Sequence, residues 1–249
     1  MNKILDIKNI KKNFNTINGE IEAISDINFS IDDGEFVAIV GTSGCGKSTL
    51  LSILANLIPA TSGTIKYSIT NPIIGYMLQE DALFEHLTIF DNVLLGLKVQ
   101  NKINEESKQY ALGLLKKYDL EKFKDKHPKE LSGGMKQRVA LIRTLAIKPD
   151  LLFLDEPFSA LDFSTRLKVS DDVYKIIKDT KKTTIMVTHD IGEAISMADK
   201  VVVLSKSPAK IKNIYKINLL NKGLPTQNRK DENFNYYYDS IWKELDEVI

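Results

Sequence analysis

Apolar and polar positions alternate from Ile4 to Ile10 and again from Ile21 to Ile31, the period of two expected of half-buried strands. A polar turn containing Asn18 and Gly19 separates the two runs, which predicts an antiparallel flap. Asp32-Asp33-Gly34 then turns into Glu35 to Val40, a short apolar run bounded by glycine and read as a buried strand. The pattern changes to helical from Lys47 to Leu57, with apolar residues at Leu50, Leu51, Leu54 and Leu57. Helix formers dominate from about Phe84 to Leu131, with apolar spacing at Leu94 and Leu97 and at Leu112 and Leu115, until His127-Pro128 breaks the run. Leu151 to Leu154 and Thr184 to Val187 read as two more buried strands, and Arg166 to Ile177 and Ile191 to Ala198 as helices. Val201 to Leu204 is read as the last core strand, and beyond Lys206 the pattern weakens into a polar tail whose Phe234, Tyr236, Tyr237, Tyr238 and Trp242 favour a short helix packed on its own domain over a surface for a partner or membrane. This order predicts an α/β protein with a largely parallel sheet and a helical insertion.

Composition narrows the setting. The 34 Lys and Arg nearly cancel the 33 Asp and Glu among 249 residues, so no global basic field points to nucleic acid. One cysteine, Cys45, excludes an internal disulfide framework and suits a reducing, cytoplasmic setting. The longest apolar runs fall far below the roughly 20 residues that span a bilayer. If the protein serves a membrane, another chain does the spanning.

Gly41-Thr42-Ser43-Gly44-Cys45-Gly46-Lys47-Ser48 fits G-x-x-x-x-G-K-[ST], between a strand and a helix. Glycines let backbone N–H groups close around phosphate oxygens, and the helix that begins here adds its positive end. Lys47 is expected to reach the β and γ phosphates, and Ser48, with Thr49 beside it, to ligate Mg²⁺. Leu151 to Leu154 followed by Asp155-Glu156-Pro157 would deliver two carboxylates to a sheet's C-terminal edge, although alone it also reads as a solvated turn. Beside the phosphate loop, Asp155 is expected to hold Mg²⁺ through water and Glu156 to polarise the attacking water. Leu131-Ser132-Gly133-Gly134-Met135 puts a capping serine and two glycines before a helical run, which is an ordinary capped helix or a second anion-receiving helix N-terminus.

Together these motifs resemble the nucleotide-binding subunit of ABC transporters over residues 1–205. Leu131 to Met135 is similar to the family signature, with Met135 in place of its final glutamine. That resemblance implies a P-loop NTPase ABC cassette. Its parts would be a RecA-like core sheet, an N-terminal antiparallel β-subdomain, a helical subdomain inserted at about 82–140 and a short tail over 206–249. It also implies ATP and Mg²⁺ as cofactors and a head-to-tail homodimer in which Ser132, Gly133 and Gly134 of one copy close over the nucleotide of the other. Phe14 matches the aromatic that stacks on adenine, with a core phenylalanine as the alternative. Gln79 matches the glutamine that contacts Mg²⁺ and water, Ser159 to Asp162 the interface loop, and His189 the switch histidine at the γ-phosphate. Residues 81–88 resemble the segment that receives a coupling helix of the membrane subunits, with Leu83, Phe84 and Leu87 as core residues the alternative.

The function so implied is an ATPase driving separate transmembrane permease subunits from the cytoplasmic face of the membrane. A separate soluble subunit resembles bacterial importers, which use a separate solute-binding protein. The Met-containing signature, the stretch from Met77 to Leu97 and the short tail are most similar to the nitrate, sulfonate and taurine importer group. An exporter subunit is the alternative, or an ABC ATPase acting on DNA or ribosomes, which usually carries long coiled coils or two cassettes in one chain.

Overall fold

The computed structural model describes residues 2–17 and 19–246, so Asn18 of the expected turn lies outside the described residues. Along the chain run β1 (Lys3–Thr16), β2 (Gly19–Asp32), β3 (Phe36–Val40), α1 (Lys47–Leu54) and β4 (Ser62–Tyr67). Next come β5 (Ile74–Met77), α2 (Ile89–Val99), α3 (Glu105–Lys117), α4 (Gly133–Ala146), β6 (Leu151–Asp155) and α5 (Phe163–Thr180). The last stretch carries β7 (Thr183–Thr188), α6 (Ile191–Met197), β8 (Lys200–Leu204), β9 (Ala209–Lys216), α7 (Pro225–Asn228) and α8 (Glu232–Asp246). Two compact units result: the first and last stretches form one, and Ile73–Lys181 forms the other.

In the first unit the strands lie in the order β4-β1-β2-β9-β8-β3-β7. The flap is the antiparallel pair β1–β2, with Ile7 opposite Phe29 and Phe14 opposite Ile21. Ile4, Ile7, Ile10, Ile24, Ile27 and Ile31 are all buried, although spacings of three among them depart from the expected period of two; irregularities in the pairing between Ile7 and Ile10 and between Ile10 and Lys12 break the simple alternation. β3 pairs in parallel with β7 on one side and β8 on the other. Every residue of β3 and β7 is buried; the unbroken apolar run Phe36–Val40 is what a strand covered on both faces needs, and β7 keeps its apolar residues, Ile185 to Val187, between buried threonines. Each aliphatic side chain so buried stabilises by about 1.5–3 kcal/mol against leaving it exposed.

Two expectations are corrected here. The helix predicted to reach Leu57 stops at Leu54. Asn56 takes a left-handed φ of 57°. Its N–H donates to Ile53 O (3.0 Å) and that of Leu57 to Ser52 O (2.9 Å), which closes the helix end with asparagine in the position glycine usually fills. Nor is Val201–Leu204 the last strand, because β9 pairs antiparallel with β8 (Val202 opposite Ile214) and parallel with β2 at Ile24 and Ala209. β9 reads Ala-Lys-Ile-Lys-Asn-Ile-Tyr-Lys; only Ala209 is buried and the rest is at least partly exposed, so its backbone ladders place it and no apolar stripe announces it. Helix α8 then packs on α6, β8 and β9, burying Phe234 and Ile241 two turns apart.

The second unit pairs β5 and β6 in parallel, from Ile74 opposite Leu151 to Met77 opposite Leu154. Its helices gather on α4, which packs against α2, α3 and α5. Thr88 caps α2 by accepting from Asp91 N, and Asn104 and Ser107 form a reciprocal capping box on α3. Past His127, Pro128 opens a 3₁₀ turn to Glu130, so the sequence break falls where it was read.

Candidate functional site

In the first unit, β3 delivers the chain to the glycine loop and α1. Gly44 and Gly46 have φ of 74° and 109°, a backbone that suits a concavity of N–H groups and that side-chain-bearing residues enter only with strain. Gly41 is required for a different reason: a Cβ there would lie 2.6 Å from Cys45 Sγ and 3.3 Å from Leu204 Cβ. Lys47 is 5% exposed, and its Nζ donates to the carbonyls of Gly41 (3.0 Å) and Thr42 (3.1 Å). A positive charge is thereby held across the loop at the start of α1, where the helix dipole is also positive. Ser43, Gly44 and Ser48 are exposed, and Thr49 is half-buried in the first turn of α1. Burial pushes the Cys45 thiol up, with the Lys47 charge opposing it more weakly.

His189 is exposed immediately after β7. The residue that follows it, Asp190, caps α6 by accepting from Glu193 N at 2.9 Å. Behind them Thr188 Oγ1 donates to the Glu193 carboxylate (2.7 Å) and accepts from Asp190 N (3.1 Å). A cavity of about 350 Å³ has Gly41, Thr42, His189, Asp190, Tyr238 and Trp242 in its wall. The fold thus brings the start of the phosphate loop and His189 onto one concave surface, with α8 as a third side; the aromatic run pointed to such a helix but not to its place beside this loop. Phe14 does not line this cavity. It stands 39% exposed on β1 with Lys12 Nζ 4.9 Å from its ring centre, so the core alternative does not hold.

In the second unit, β5 and β6 bring their C-terminal residues side by side. Asp155 is buried, and Tyr76 donates its hydroxyl to Asp155 Oδ2 at 3.0 Å. Gln79 Nε2 donates to Glu156 Oε2 at 3.4 Å, which joins the predicted glutamine to the predicted base. Glu156 has a left-handed φ of 44°, strained for a residue with a side chain, and its carbonyl accepts from Ser159 N (3.2 Å) and Ser159 Oγ (3.1 Å). Arg143 donates to the carbonyls of Ala82 (2.6 Å) and Asp81 (2.7 Å), fixing the chain just after Gln79. Of the three apolar residues in that segment, Leu83 is buried, Leu87 half-buried and Phe84 exposed. Ser132 caps α4 by accepting from Met135 N at 3.4 Å. Gly133 and Gly134 sit in its first turn, where a Cβ on Gly134 would come within 2.6 Å of Val169 Cγ2. Asp162 caps α5 through Thr165 N (3.0 Å) and Ser164 Oγ (2.8 Å). Tyr76 and Arg143 carry no pattern of their own in the sequence, because their partners are brought to them by β-pairing and helix packing.

A sequence profile described as ABC transporter matches residues 24–159. The chain belongs to the ABC transporter family. It is 45% identical to an uncharacterised ABC transporter ATP-binding protein of Bacillus subtilis over 98% of this chain and 96% of that protein. A sulfate/thiosulfate import ATP-binding protein of Pseudomonas aeruginosa is 39% identical over 81% of this chain, and a spermidine/putrescine import ATP-binding protein of Haemophilus influenzae 42% over 82%. The chain spans 64% and 56% of these two relatives. The ATP-binding cassette MJ0796, solved as a dimer in a post-hydrolysis state bound to ADP and Pi, matches with a TM-score of 0.72 and 32% identity over 86% of this chain and 99% of that one. The fold is the ABC cassette, a P-loop NTPase with a mixed sheet and helices, as the motifs led one to expect. The chain is an ABC ATPase, a member of a family that binds and hydrolyses ATP. No helix among the described residues is long and apolar enough to cross a membrane.

Proposed function

We propose that this ABC ATPase is the energising subunit of an importer for a small solute, with an anion of the nitrate, sulfonate or taurine kind as the favoured cargo. The observation that carries the ATPase part is the buried Lys47 ammonium, held by Gly41 and Thr42 carbonyls over a left-handed glycine loop at a helix N-terminus. Such a cradle fits a polyphosphate. The importer part is supported by similarity to two import ATP-binding proteins, and the anion class by one of them.

In this reading Gly41, Thr42, Ser43, Gly44, Cys45 and Gly46 wrap the phosphates with their backbone, Lys47 neutralises charge between β and γ, and Thr49 supports Ser48. Phe14 stacks on adenine through the part of its ring that is exposed, with Lys12 over one face. Mg²⁺ usually takes one or two carboxylates plus substrate phosphates, and Ser48, Asp155 and Gln79 are a donor set of that kind. When bound, it spreads the charge developing on the transferred phosphoryl group. Glu156 accepts the proton of the attacking water, Gln79 keeps that carboxylate and the water in register, and His189 donates to the γ-phosphate. Ser132, Gly133 and Gly134 offer the N-terminus of α4 to the nucleotide of a second copy. The two copies clamp two Mg·ATP and so move permease subunits attached on the cytoplasmic face of the membrane; nucleic acid has no part in this cycle.

The test is to tag the chain in its native cells, solubilise membranes gently and identify the co-purifying proteins. A multi-span permease with a solute-binding protein is the expected result. A permease alone that exports, or ribosomes and DNA-bound proteins in its place, would overturn the importer reading.

A further inference from the structure

Residues 217–246 are not a free tail. They grip α6, the short helix that starts two residues after His189. At its C-terminal end, the fully buried Asn228 donates to Ser196 O (2.7 Å) and Gly223 O (3.1 Å) and accepts from Gly223 N (2.7 Å). Lys222 donates to Ala198 O at 3.0 Å. At the N-terminal end, Arg229 Nη2 lies 3.8 Å from Asp190 Oδ1, the same oxygen that caps α6. Its guanidinium fills the space over Gly192, where an added Cβ would overlap it. Farther on, Tyr238 and Trp242 stack at 6.4 Å and 10° and line one cavity with Thr42 and His189. Glu244 fastens this helix to β9 through Asn213 (3.1 Å) and Tyr215 (3.3 Å).

A seven-residue helix does not hold itself in water, so what fixes α6 is its packing. Because His189 is one residue from the cap of α6, the packing that fixes α6 also fixes the backbone that carries the imidazole. We propose that Arg229 is a positioning residue for ATP hydrolysis, acting through Asp190 on His189, and that the C-terminal segment is an intramolecular brace for the switch histidine. This rests on the reading of His189 as the γ-phosphate contact. Arg229 acts at the end of the site where the γ-phosphate is read, while Lys47 and the glycine loop bind the diphosphate. Loss of Arg229 is therefore expected to show in turnover and not in nucleotide affinity.

The experiment uses the full chain with Arg229→Ala, Arg229→Lys, Gly192→Ala and His189→Ala, singly and with Arg229→Ala added to His189→Ala. Turnover and KM for Mg·ATP are measured, and ADP binding is followed by the fluorescence of Trp242, the only tryptophan in the chain. Arg229→Ala is expected to lower kcat on the order of tenfold, since small misplacements of catalytic groups are costly, with KM and ADP affinity within about twofold. Arg229→Lys should recover most of the loss. Gly192→Ala keeps the arginine but displaces it, and alanine favours a helix, so a merely structural role predicts a normal enzyme where the brace predicts a slow one. In the His189→Ala background the arginine change should add nothing. Normal turnover in Gly192→Ala, additive losses in the double variant, or a matching loss of ADP affinity would overturn the brace. Normal turnover in His189→Ala would instead remove the reading on which it rests. If Arg229→Ala does not fold, Gly192→Ala carries the same comparison.

Discussion

Cys45 shows how a residue in a functional loop can be chemically quiet. Its side chain is buried under the loop, with Sγ in the space a side chain at Gly41 would need, and burial raises the thiol pKa. The thiolate is the reactive form, so both access and ionisation protect it. Iodoacetamide at pH 8 should therefore modify the native chain at least about tenfold more slowly than the denatured one. The sign for stability follows: a folded pKa above the unfolded one favours the fold at neutral pH, and that contribution fades as pH rises through the ordinary thiol range and beyond. Equal native and denatured rates, read by mass spectrometry, would mean the thiol is open. Gly41, Gly44, Gly46 and Lys47 were legible in the sequence because a phosphate cradle demands fixed types at fixed spacing. The left-handed Glu156 was not, because glutamate gives no signal for such a φ, nor was the Tyr76–Asp155 pair, which depends on β5 and β6, distant in sequence, coming into register.

At the scale of elements, caps and stops decided where the pattern-based reading held. Asp162 closes the stretch matched to the interface loop, which taken by itself reads as a capped helix start, and its carboxylate caps α5; hydrogen bonds from Thr165 first, then Ser164, hold its pKa well below the usual carboxylate range. A depressed pKa stabilises the fold above the unfolded Asp value of about 3.9 and loses that effect as pH falls toward the folded value. Asp162→Ala should thus lower the melting temperature at pH 7, and the gap to the natural chain should shrink as the pH drops below about 4. A gap that stays constant down to pH 3 would show that the carboxylate charge is not what caps α5. Helix stops were less legible than helix starts. Glycine is the usual signal for a stop, but here Asn56, Asn101, Asp119, Lys148 and Lys181 take the left-handed position after α1 to α5. Strand β9 escaped because its exposed lysines blend into a polar tail, whereas the aromatic run from Phe234 to Trp242 pointed to a short helix packed on its own domain, and α8, burying Phe234 and Ile241, is that helix.

At the scale of the whole molecule, the same chain carries a phosphate loop at the N-terminus of α1 and a second glycine-bearing N-terminus at α4, opened by the exposed cap Ser132. Two such ends make two equal sites when two copies meet about a two-fold axis, and each site then draws on both copies. In the proposed clamp nucleotide holds the pair together and hydrolysis opens it, so removing the carboxylate proposed to activate water without removing its shape should trap the closed state. Glu156→Gln is expected to lose at least about 100-fold in turnover, the scale of one general base. With ATP it should sediment as two chains, while the natural protein at the same concentration remains mostly one. Adding Ser132→Glu places a negative charge where the partner's nucleotide would sit. It should abolish the two-chain species yet leave ADP binding to a single copy unchanged. A Glu156→Gln protein that stays single in ATP would contradict the clamp, and a pair that survives Ser132→Glu would show that the copies associate through some surface other than the start of α4.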